Sequence, residues 1–162
     1  MNIKRLHQKL SEVKNLYLYI GFVLTSWAIG LLSVFINQSI ETPFTRPKFE
    51  STIEEVVVVL FFAPFFESLI FQFYIIEFND WVFKRSRFRI FSGCLLSSLA
   101  FSLIHLYSFI YFLFALMIGS FFAYFYCIEK LRTNGFRAGI CVISLHFSYN
   151  LFALLWNHLL VF

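Results

Sequence analysis

Five long apolar stretches leave this chain only one kind of solvent. They run from about Leu16 to Ile36, Val56 to Phe78, Ile90 to Leu106, Phe109 to Ile128 and Ala138 to Leu160. A helix that crosses a bilayer needs about 20 mostly apolar residues, because the hydrocarbon is about 30 Å thick and a helix rises about 1.5 Å per residue. Lipid offers no hydrogen bonds, so each backbone N–H and C=O must be paired inside its own segment, and the stretches predict helices. The third is short and joins the fourth through little more than Tyr107 and Ser108, which predicts a tight helical hairpin. Of the 162 residues 60% are hydrophobic and 14% charged, whereas a soluble domain carries about a quarter charged residues. The expected fold is all-α: a polytopic transmembrane bundle of about five spans.

The basic residues lie in short clusters between the apolar runs. Lys4, Arg5, Lys9 and Lys14 precede the first run; Lys84, Arg85, Arg87 and Arg89 follow the second; Lys130, Arg132 and Arg137 follow the fourth. Only Arg46 and Lys48 fall in the stretch between the first and second runs. The excess of Lys and Arg on cytoplasmic loops predicts a cytoplasmic N-terminus and a C-terminus outside, in an integral, multi-pass protein. A net charge of +4 distributed in this way serves topology, not nucleic-acid binding. Residues 1–15 read as a basic, amphipathic segment at the cytoplasmic surface, and residues 16–162 as a single transmembrane domain. The first run is too long for a signal-peptide core and no small-residue cleavage site follows it, so it is expected to be retained. The stretch Asn37–Glu55, with Pro43 and Pro47, reads as the one substantial extramembrane loop.

Cys94, Cys127 and Cys141 match neither metal-site nor disulfide spacing and read as buried apolar thiols. Ala115, Gly119 and Ala123 form a stripe of small residues on the fourth run, which reads as close helix packing.

Ionisable groups inside a membrane are costly and are functional candidates by default. Glu67, His105 and His146 lie well within runs, and Asn150 adds a costly amide. Glu54, Glu55, Glu77, Asp80 and Glu129 fall near run ends and read as solvated flanking charge. His146 and Asn150 are four apart and share a helix face, as do Phe101 and His105. Glu67 must face the bundle interior, since facing lipid would cost several kcal/mol. A carboxylate in a low-dielectric pocket is a competent general base near neutral pH. A nearby His can orient the same water, while a second His and an Asn can donate to the oxyanion formed when water attacks a peptide carbonyl. Asp80 is the only Asp, so a paired-aspartate mechanism is excluded, and neither H-E-x-x-H nor G-x-S-x-G is present. A divalent metal held by Glu67, His105 and His146 stays open, as does bis-His haem ligation by His105 and His146. Counting from the run ends places His105 about two helical turns nearer the outer face than His146. Tilt, or a third helix starting within Lys84–Arg89, would reconcile the two.

Three motifs occur in order. The run Ala63-Pro64-Phe65-Phe66-Glu67-Ser68-Leu69-Ile70-Phe71-Gln72 is followed by Phe101-Ser102-Leu103-Ile104-His105 and then His146-Phe147-Ser148-Tyr149-Asn150. This order resembles the CAAX-protease and bacteriocin-processing (CPBP, or Abi) family of intramembrane glutamic proteases. The resemblance covers about residues 55–155, the family's four-helix catalytic core. It implies a membrane endopeptidase that acts on a peptide or lipidated-protein substrate in the bilayer and needs no cofactor. Glu67 and His105 would activate water, and His146 and Asn150 would hold the oxyanion. The family pattern E-E-x-x-x-R is broken: Ser68 stands at the second Glu and Gln72 at the Arg. Both charges of an i,i+4 pair are gone together, which avoids stranding one buried charge and leaves Ser68 and Gln72 as a possible neutral pair. With Phe101, these are the expected supporting residues. A non-catalytic member serving as an immunity or scaffold protein is the alternative.

Overall fold

A computed structural model of the chain describes residues 15–38 and 49–159; the expected amphipathic N-terminal segment and most of the first loop lie outside them. The regular elements are all helical: α1 (Asn15–Gln38), α2 (Thr52–Val82), α3 (Arg89–Leu103), α4 (Phe109–Arg132) and α5 (Gly135–Leu159). Four of these, α1, α2, α4 and α5, are long and apolar enough to cross a membrane. The third has 15 residues, about 22 Å of helix, which by itself falls short of the roughly 30 Å hydrocarbon thickness. The chain is a multi-pass helical membrane bundle.

Several predicted boundaries move by three or four residues, two of them with a visible local cause. The second span begins at Thr52 instead of Val56, because Ser51 has extended backbone angles and its side chain accepts the N–H of Glu54. The Glu54 carboxylate in turn accepts the N–H of Glu50 at 2.7 Å. The run Ser51-Thr52-Ile53-Glu54 is the sequence signature of a helix start. The third helix stops at Leu103, not Leu106, and residues 104–108 form a turn. Ser108 caps α4, accepting from the Tyr111 N–H, and the His105 ring bonds back to the carbonyl end of α3. His105 therefore lies beyond the helix that was expected to carry it.

The core is built from α4 and α5, with Phe122, Phe125, Tyr126, Val142 and Leu145 fully buried, and Ile76 and Phe101 packed on them from α2 and α3. The small-residue stripe is what lets the helices approach: a Cβ on Gly119 would lie 2.8 Å from the Phe101 ring. Outward-facing aromatics such as Phe61, Trp81, Phe91 and Phe136 remain exposed, as a lipid-facing surface requires.

Polar clips join the helices. Tyr19 and Ser144 hydroxyls meet at 2.6 Å, and the Trp27 ring N–H points to the Ser148 carbonyl at 3.2 Å, fixing α1 on α5. Asn79 donates to the Arg89 carbonyl at 2.7 Å and accepts from Ser92 at 3.1 Å, seating the start of α3 on α2. Glu77 and Asp80, expected as solvated flanking charges, instead share Lys130 of α4 at 2.8 and 2.7 Å, and Tyr126 donates to Glu77 at 2.6 Å. Glu129 is also buried. These acids face neighbouring helices, which the position of a residue along its own run does not reveal. The Cys94 and Cys127 thiols meet at 3.5 Å across α3 and α4, and all three cysteines are free.

Candidate active site

The geometry of the site begins with a backbone irregularity in α2. Within this helix, Val58–Phe62 and Ser68–Tyr74 are wound as π-helix, in which each N–H reaches five residues back. The Ala63 N–H bonds the Val58 carbonyl in that register. The next donor in register, for Val59, would be the nitrogen of Pro64, which carries no hydrogen. The Asn150 side chain fills the place, its Nδ2 donating to the Val59 carbonyl at 2.8 Å. The amide expected to hold an oxyanion thus gives one of its two N–H groups to the backbone of α2 and ties α5 to it.

Glu67 closes the α-helical turn Ala63–Glu67 immediately before the second π segment. Its side chain is 19% exposed, enough to face a cleft and too little to face lipid freely. Two imidazoles converge on one of its oxygens: His105 Nε2 lies 3.9 Å and His146 Nε2 3.7 Å from Glu67 Oε2. The depth mismatch anticipated between the histidines is met in part by their helix starts. α3 begins at Arg89, at the end of the basic cluster, against Asn79; α5 begins at Gly135, against Glu77.

Each imidazole is held on three sides. His105 Nδ1 lies 2.8 Å from the Phe101 carbonyl; a carbonyl only accepts, so the ring proton sits on Nδ1 and Nε2 presents a lone pair. Phe101 packs beside that ring at 4.6 Å, and Tyr111 stacks on it at 6.0 Å. His146 is almost fully buried, with Phe122 packed on it at 4.8 Å and Phe101 edge-on at 5.9 Å. Its Nδ1 lies 3.2 Å from the Ser68 hydroxyl. Ser68 therefore pairs with His146 and not with Gln72, as the i,i+4 spacing had suggested. Gln72 is buried, and neither atom of its amide has a hydrogen-bond partner among the described residues. Tyr111 and Phe122 were not singled out from the sequence, because one aromatic among so many carries no local signal of its neighbour.

The arrangement brings Glu67, His105, His146 and Ser68 together from α2, the turn after α3, and α5, with Phe101 as a shared wall. At 3.7–3.9 Å the imidazoles are outside direct hydrogen-bond range of the carboxylate and at a separation that one shared water can bridge. Among the described residues, no three His, Cys, Asp or Glu side chains form a group that could hold a metal ion.

A family model described as type II CAAX prenyl endopeptidase Rce1-like matches residues 49–152. Comparison with curated proteins and with solved structures gave no match. The matched region is more than half of the chain and runs from the cap of α2 past Asn150, through every residue of the cleft. By that match, the chain belongs to the Rce1-like family of type II CAAX prenyl endopeptidases.

Proposed function

We propose that the protein is an intramembrane glutamic endopeptidase that hydrolyses a peptide bond in a membrane-associated or lipidated peptide. The observation that carries this reading is the convergence of two imidazoles on one Glu67 oxygen in a largely buried cleft. A water between Glu67 and the His105 lone pair can donate to both, which leaves its own lone pair for the substrate carbonyl carbon. As the O–C bond forms, Glu67 takes the water proton, and His146 and the remaining N–H of Asn150 stabilise the oxyanion. Collapse breaks the C–N bond, and the proton passes to the leaving amine. Glu67 lies within 4 Å of both Nε2 atoms, in the space that a porphyrin would need between two axial imidazoles.

Glu67→Gln keeps the shape and removes the base. With a farnesylated CAAX peptide as reporter, the variant is expected to fold and insert normally and to lose at least about a hundredfold in cleavage rate. Wild-type cleavage by that variant would refute the mechanism. Persistence of cleavage in EDTA is the expected result for a water activated by Glu and His; its loss would point to a metal at Glu67, His105 and His146. The departures at Ser68 and Gln72 favour a silent immunity or scaffold protein as the second reading. In that case wild type cleaves nothing and the cellular phenotype survives Ala at Glu67, His105 and His146. The topology proposed with this reading, N-terminus cytoplasmic and C-terminus outside, is checked by compartment-specific reporter fusions at the C-terminus.

A further inference from the structure

Ser68 uses its hydroxyl differently from several other helical serines. The hydroxyls of Ser98, Ser102 and Ser120 donate back to carbonyls on their own helices, three or four residues earlier. The Ser68 hydroxyl instead crosses from α2 to α5 and meets His146 Nδ1 at 3.2 Å. Both residues are buried, and Phe122 and Phe101 pack against the imidazole. The two carbonyls one turn back from Ser68, Pro64 and Phe65, receive its backbone N–H.

Two proton arrangements fit this contact. If Nδ1 carried the ring proton and donated to Ser68, the serine proton would have no acceptor among the described residues. If Ser68 donates to Nδ1, every group is served: the hydroxyl proton has its acceptor, and the ring proton moves to Nε2, towards Glu67.

We propose that Ser68 is a positioning residue that fixes His146 as the Nε2–H tautomer, so that the two histidines beside Glu67 carry opposite tautomers. His105, with its Nδ1–H on the Phe101 carbonyl, presents a lone pair to the water. His146 presents an N–H to the oxyanion. A carboxylate at position 68, as in the E-E-x-x-x-R pattern, can only accept; it would hold a proton on Nδ1, so that Nε2 could donate only from a doubly protonated, cationic ring. The substitution by serine is therefore a change of tautomer control as well as a loss of charge. What the tautomers do in cleavage rests on the peptidase reading; their assignment does not.

The test is nitrogen-15 NMR of the imidazoles in the whole protein, reconstituted in nanodiscs, with His105 and His146 assigned by substitution. The expected spectrum has His105 protonated at Nδ1, and His146 protonated at Nε2 with a hydrogen-bonded, unprotonated Nδ1. In Ser68→Ala the His146 Nδ1 resonance moves to that of an acceptor with no donor, whereas Ser68→Thr keeps it in place. On the farnesylated CAAX reporter, Ser68→Ala lowers kcat about tenfold with little change in KM, and Thr restores it. Protonation of His146 at Nδ1 in the wild type overturns the proposal, as does an Nδ1 resonance that Ser68→Ala leaves unmoved. Failure of the peptidase reading would appear elsewhere, as a wild type that cleaves nothing while the tautomers stand.

Discussion

At Val59 a carbonyl loses its expected π-register donor because residue 64 is proline, and one side-chain amide from another helix replaces it. In lipid such a group has no water to turn to, so the Asn150 N–H is as much part of the backbone pairing of α2 as of the cleft. Asn150→Leu is expected to destabilise the bundle by about 1–3 kcal/mol, the cost of leaving a buried acceptor unmade. Pro64→Ala restores a backbone donor for Val59 and should recover most of that loss, which a thermal-unfolding double-mutant cycle in detergent measures. Cleavage separates the two duties of the amide: if Asn150 also holds the oxyanion, the double variant regains stability without regaining rate. The sequence placed Asn150 one turn from His146. It could not show the carbonyl that Asn150 serves, because Val59 lies on another helix and its need arises from the π winding.

Among the elements, the short α3 decides where the second histidine goes. It ends one turn early and hands His105 to a turn, where the Phe101 carbonyl and the Phe101 and Tyr111 rings orient it. Irregular backbone at the level of mid-α2 is tolerated in a membrane only against protein or a wet cavity, which agrees with a hydrolytic site there. Phe101 in turn rests on Gly119 of α4. Gly119→Ala puts a Cβ 2.8 Å from the Phe101 ring, and because Phe101 is buried the ring must shift. The expected cost is about 1–3 kcal/mol in stability, with a fall in kcat larger than that of a distant variant of equal stability. Matched melting and kinetic measurements check it. The small-residue stripe was legible in the sequence as packing; that its partner is the residue which seats His105 was not.

For the molecule as a whole, the end of the bundle near Lys130 is fastened by charge. Lys130 lies between Glu77 and Asp80, and Tyr126 donates to Glu77, joining α2 to α4. At the other end His158 meets Glu55 at 3.0 Å and joins α5 to α2. Lys130→Met leaves two acids without the cation they share, only Glu77 keeping a hydroxyl donor, and is expected to cost about 2 kcal/mol, moderated by partial exposure. Unfolding in detergent measures it, and Asp80→Asn in the same chain should return part of the loss. By itself the sequence determined the solvent, the helical class, the places of the apolar runs within a few residues, and which polar groups lie too deep in those runs to face lipid. Those follow from composition and from hydrogen bonding along a single segment. Only the tertiary structure decided that Ser68 turns to His146 and not to Gln72, that His105 leaves its helix, and that Glu77 and Asp80 are paired. Each of these depends on which group a neighbouring helix brings within about 3 Å, and no spacing along one helix contains that information.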